Sequence, residues 1–117
     1  MKEDDSFMET KIVRKGQGEI LLEGQECSEI YFRTDKLVFT ISTLLPGQQA
    51  CLDRGHEGSD EVCYVISGTI VMHLPEKKEY HLLNKGDAIC IPPGEPHYSV
   101  NVGKKQSITA WSCAPHL

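Results

Sequence analysis

GDAICIPPGEPHYSVN, residues 86–101, sets out strand, turn and strand within one short segment. Ala88–Ile91 is a brief apolar run, and Pro92-Pro93-Gly94 ends it. Pro96 biases Glu95 towards an extended backbone. His97 therefore enters the next strand, Tyr98–Val102, with Ser99 and Asn101 on its own face by simple alternation. The fixed points are Gly86, Pro92, Gly94, His97 and Asn101. Upstream, GHEGSDEVCYVISG (residues 55–68) holds His56, Glu61 and Gly68.

The same grammar runs outward in both directions. Lys11–Lys15 reads as a strand before Gly16 and Gly18. Glu29–Arg33 and Leu37–Leu45 read as a hairpin across Thr34-Asp35-Lys36, ended by Pro46-Gly47. Val62–Ile66 and Thr69–Leu74 flank Ser67-Gly68, a tight hairpin signal. Tyr80–Leu83 precedes the turn Asn84-Lys85-Gly86, and Ser107–Ser112 is the last run. No segment holds a helical apolar period beyond two turns, and there is no repeat. Short strands with regular Gly and Pro punctuation predict an all-β sandwich or barrel. Charge dominates residues 1–10, which predicts a disordered tail ahead of one barrel domain over 11–117.

Bulk composition excludes several functions. At 117 residues the chain is expected to form one core. A net charge of −5 with scattered Lys and Arg argues against a nucleic-acid partner. No apolar run is long enough to span a bilayer, and MKEDDSFMET resembles neither a signal nor a transit peptide. Cys27, Cys51, Cys63, Cys90 and Cys113 are odd in number and form no C-x-x-C pair. That predicts free thiols and a reducing, cytoplasmic setting.

Alternation places Glu61, Cys63 and Val65 on one side of their strand. A hairpin at Ser67-Gly68 would oppose them to Leu74, Met72 and Ile70, and would turn His73 away. A carboxylate on so apolar a face needs a cation or hydrogen bonds. His81, in the run KKEYH, and His116, beside the terminus, read as solvated.

The two segments around 55–68 and 86–101 resemble the two motifs of the cupin family, and the resemblance covers roughly residues 35–113. It implies a double-stranded β-helix, the cupin jelly-roll barrel, with His56, Glu61 and His97 as ligands of a divalent transition metal (Mn, Fe, Co, Ni or Zn). Two histidines and a carboxylate suit such ions and leave open positions. The resemblance further implies a small anionic metabolite and isomerase, lyase or dioxygenase chemistry. The alternative is a non-catalytic barrel binding a sugar or organic acid, with or without metal. A homodimer joined through an edge strand is expected.

The first motif departs from the family pattern of Gly, five residues, His, one residue, His. Counted from Gly47, the first His position falls on Asp53; counted back from His56, it falls on Arg54. Gly55 sits beside the extra residue and predicts a bulge or kink. With a bulge, Asp53 turns inward as a fourth ligand. Plain alternation instead brings in Arg54, whose permanent charge excludes metal binding but clamps an anion. A third reading leaves both in an outer loop. Cys63, Met72, Ser99 and Asn101 complete the expected ligand contacts. Cys63 is either a redox or metal-binding thiol or a small core residue, and Cys51 is read the same way. No separate general base is evident.

Overall fold

A computed structural model describes residues 9–115. The first eight positions of the expected tail, and His116, lie outside the described residues. Nine strands follow one another: β1 (Glu19–Glu23), β2 (Glu26–Arg33), β3 (Val38–Leu44), β4 (Asp60–Ser67), β5 (Thr69–Leu74), β6 (Glu79–Asn84), β7 (Ala88–Ile91), β8 (Tyr98–Asn101) and β9 (Ser107–Ala114). A single 3-10 turn, Pro75–Lys77, links β5 to β6. One sheet has the order β1-β2-β3-β9-β4-β7 and the other β6-β5-β8, with every neighbouring pair antiparallel. The two inner faces enclose the interior of a cupin jelly-roll barrel.

The loop after β3 extends the smaller sheet. Single bridges join Gln49 to Val100 and Asp53 to His97 along the free edge of β8. A bridge from Ala50 to Gly24 ties the same segment to the turn between β1 and β2. That segment closes one side of the barrel and carries Asp53 to the site.

Alternation decides which side chains point in. On β4 Glu61, Cys63 and Val65 are buried, while Val62, Tyr64 and Ile66 face outward. On β5 Ile70, Met72 and Leu74 are buried. With Leu83 and Ile91 they form the apolar core, flanked by Ile89 and Trp111. The other part of the interior is polar: β2 and β3 turn Glu26, Ser28 and Ser42 inward. Hydroxyls and a carboxyl cannot pack as core, so this part of the barrel stays open as a cavity.

Two expectations need correction. Ser67-Gly68 is no hairpin: β4 and β5 lie in different sheets, and the chain crosses between them there. Gly68 has φ +87°, and a Cβ on it would meet the Ser107 Cα at 2.8 Å, so a close backbone crossing sets the glycine. The same residues nevertheless face inward: alternation groups Ile70, Met72 and Leu74 on one face of β5, and that face meets the Glu61 side of β4 across the barrel rather than along a hairpin. His73 does face away, but it stacks on Tyr98 at 4.6 Å between ring centroids and pairs with neither Val62 nor β4. Finally, Lys11–Lys15 is not a strand; the first strand is Glu19–Glu23, joined to β2 by a turn at Gly24, φ +65°.

Candidate metal centre

The turn after β7 builds the His97 side of the site. The Glu95 amide donates to the Pro92 carbonyl at 3.2 Å, and the Gly94 amide donates to the His56 carbonyl at 3.0 Å. The second bond holds the His56 loop against this turn. The Glu95 carbonyl then accepts from His97 Nδ1 at 2.9 Å. A carbonyl can only accept, so Nδ1 carries a proton and Nε2 is the nitrogen turned to the cavity. Trp111 stacks on the imidazole at 5.6 Å, and its own indole N–H donates to Thr109. Ring orientation and tautomer are thus both fixed.

His97 Nε2 is buried and has no hydrogen-bond partner among the described residues. Glu61 Oε2 lies 3.7 Å from it and Asp53 Oδ2 3.8 Å. Both separations are too long for a hydrogen bond. A ring nitrogen facing two carboxylates calls for a cation between them, and a metal ion held by all three side chains supplies one. One ligand atom each from Asp53, His56 and Glu61 also lies within 4.8 Å of the others. The donor set of two imidazoles and two carboxylates fits a divalent transition metal.

Asp53 reaches the site because it is the direct antiparallel partner of His97. Each amide donates to the other's carbonyl at 2.8 Å, and paired residues share a face. Its Oδ1 accepts from the Gly55 amide at 2.8 Å. Gly55, with φ +79°, makes the kink that sequence spacing suggested; a Cβ there would lie 2.8 Å from the Gly94 carbonyl carbon. Arg54 is exposed and does not line the cavity, so plain alternation fails at this point. The kink absorbs the extra residue, and Asp53 rather than Arg54 turns inward.

The cavity beside these residues measures about 190 Å³. Ser99 lines it as expected, but Cys63, Met72 and Asn101 do not. Cys63 is fully buried in the core, and burial first, then the Glu26 charge, pushes its thiol up to about 12. It is a neutral small hydrophobe rather than a redox group. Asn101 caps the following loop: its amide donates to the Leu44 and Lys105 carbonyls at 2.9 Å, and its oxygen accepts from Gly103. Cys51 does line the cavity, in an exposed position.

Sequence reasoning missed Glu23, Glu26, Arg33 and Trp111, all of which line the cavity. Glu26 is hidden in the sequence because its strand begins three residues before the apolar run that marks it. Burial raises the carboxyls of Glu23 and Glu61 above the usual range, with Asp53 adding to both; His97 and His56 pull Glu61 partly back. A crowd of carboxyls raised in this way is short of positive charge.

Comparison with known proteins agrees with the fold. The cupin domain family model matches residues 40–112. The TT1209 protein of Thermus thermophilus is 30% identical, with a TM-score of 0.70 over 80% of this chain and 86% of that one. KdgF from a Halomonas species is 20% identical, with a TM-score of 0.76 over 93% and 96% of the two chains. A predicted oxalate decarboxylase from Thermotoga maritima is 20% identical, with a TM-score of 0.75 over 90% and 99%. No curated protein matches the chain in sequence.

Proposed function

This chain belongs to the cupin domain family, and from that premise we propose a metal-dependent cupin that acts on a small metabolite. His56, Glu61, His97 and Asp53 hold one divalent transition metal. The observation that carries this reading is the buried, unpartnered His97 Nε2 aimed at two carboxylates.

When bound, the ion supplies Lewis-acid polarisation of an oxygen ligand. The protein's residues do the rest. Asp53 and Glu61 neutralise the ion, and the Glu95 carbonyl aims His97 at it. Ser28 and Ser42, whose hydroxyls bond each other at 2.7 Å, line the cavity with Thr40 and leave room for a small polar ligand. Arg54 cannot clamp an anion here. The guanidinium that does line the cavity, Arg33, is half-exposed and lies 3.5 Å from Glu19. The small ligand is therefore oriented chiefly by the ion and the hydroxyl wall.

Metal analysis of untagged protein, grown with Mn, Fe, Co, Ni and Zn supplied, tests the reading. About one ion per chain is expected, removable by chelator with a fall in Tm, since a ligand held at a hundred times its Kd adds about 2.7 kcal/mol. Protein that stays metal-free after supplementation overturns it.

Homodimerisation is part of the same proposal. The edge strand β1 exposes Ile20 and Leu22, at 56% and 70%, and pairing that edge with a second copy would cover them. Sedimentation at micromolar concentration should give twice 13.1 kDa, and a single species at 13.1 kDa contradicts it. The five cysteines are all free, which supports a reducing, cytoplasmic setting. Among the described residues no helix is long and apolar enough to cross a membrane. The acidic net charge supports a small molecule rather than nucleic acid as the partner.

A further inference from the structure

We propose that Glu26 is the proton-transfer group of this barrel, passing a proton to and from a ligand seated against the metal centre. The proposal rests on the metal-dependent reading above and names the acid–base residue which that reading lacks.

Glu26 is 7% exposed, at the start of β2, and lines the same cavity as Asp53, Glu61 and His97. The one hydrogen bond to its carboxyl among the described residues is long: the Ser99 hydroxyl donates to Oε2 at 3.5 Å. No Lys or Arg among the described residues pairs with it. Its charged surroundings are acidic: Glu23 on β1 and Asp53 on the closing segment both bear on it, and Cys63 on β4 faces it as a neutral thiol. Arg33, the one Lys or Arg in the lining, is engaged with Glu19. A buried carboxyl with no countercharge keeps its proton, because the charged form loses its hydration and gains no partner. Burial, then Glu23, raises Glu26 to about 7, with Ser99 opposing and Asp53 adding. A group that titrates there can give and take a proton at neutral pH.

The position matches the task. Ser99 stands two residues after His97 on the same face of β8, so the carboxyl it contacts shares the cavity with the ligand side of the imidazole. The step is a plain proton transfer. The Glu26 O–H bond breaks as a bond forms to an oxygen or carbon of the ligand, and the reverse step restores the acid.

Two measurements test this on the full chain. First, carboxyl-labelled glutamate NMR of metal-free protein should show one carboxyl titrating near pH 7, absent in Glu26→Gln. A Glu26 that titrates in the ordinary range near 4.5 overturns the proposal. The same shift has a stability sign. The folded pKa lies above the unfolded one, so the stabilisation is complete below about pH 4.5 and is lost as pH rises through 7. Metal-free wild type should therefore melt lower at about pH 8 than at about pH 5, and Glu26→Gln should lose most of that difference. Second, oxalate serves as a chelating dianion on metal-loaded protein, with calorimetry at about pH 7.5 in buffers of different ionisation heat. Wild type should take up a fraction of a proton per oxalate, at most roughly three-quarters for a group titrating near 7, because the dianion favours protonated Glu26. Glu26→Gln should bind the metal equally well and take up none. Oxalate binding without proton uptake in wild type, or no oxalate binding at all, overturns the proposal. Wild type that binds no metal defeats the metal-dependent reading instead, and the carboxyl titration then still judges Glu26 separately.

Discussion

Replacing His97 by alanine should lower affinity for a divalent metal at least tenfold, measured by competition with a chelating dye. Even residues that only orient a metal ligand cost about 10 to 100-fold when removed, so loss of the ligand itself sets a floor at the lower of these. Each atom of the ring has its place in that expectation. Nδ1 is committed to the Glu95 carbonyl, Trp111 fixes the ring plane, and Nε2 is left with only two carboxylates in front of it. Alanine at a site that is 1% exposed also leaves a cavity and is expected to destabilise by about 2 to 5 kcal/mol, as large-to-small core changes do. His97→Gln fills more of that space and separates the two effects. It should keep the fold and still bind metal more weakly than wild type. Folded protein of either variant with unchanged metal affinity would remove His97 from the site.

The barrel is legible in the sequence because its punctuation and its alternation are both local. Ala88–Ile91, the Pro-rich turn and the strand from Tyr98 are read without knowing any partner strand. Period two groups Glu61, Cys63 and Val65 on one face of β4 and Ile70, Met72 and Leu74 on one face of β5. What fails is partnership. Ser67-Gly68 carries the residues of a tight turn, yet Gly68 serves a crossing between sheets, where Ser107 from β9 comes too close for a side chain. That contact joins two residues far apart in the chain and leaves no local mark. His56, Glu61 and His97 stand out because they sit beside strong turn signals. Glu26 and Trp111 do not, since each reaches the cavity from a strand whose neighbours look ordinary. Asn101, expected as a ligand contact, shows the converse: its position on the His97 face is right, but its polar atoms are used up by loop carbonyls and an amide.

The clearest test of the Asp53 position is a substitution whose effect changes sign with metal. In metal-free protein Asp53 and Glu61 are carboxylates crowded together, and burial, then Asp53, raises the Glu61 carboxyl. A raised folded pKa means stability that is present at low pH and lost as pH rises through it. Asp53→Asn removes one of the two charges and keeps an oxygen able to accept from the Gly55 amide. The metal-free variant should therefore be at least as stable as wild type at about pH 7, with a shallower decline as pH rises. With metal the order reverses. The ion loses an anionic ligand that wild type places opposite His97, and affinity should fall at least tenfold, which is about 1.4 kcal/mol of binding energy. At a fixed saturating metal concentration the Tm gain should shrink accordingly. Arg54→Ala, one residue away but exposed and outside the cavity, should change neither quantity. Thermal melts of the three proteins with and without metal, at two pH values, resolve the pattern. Equal metal gain in wild type and Asp53→Asn would mean that the kink at Gly55 presents Asp53 to the cavity without using it, and the ligand set would reduce to His56, Glu61 and His97.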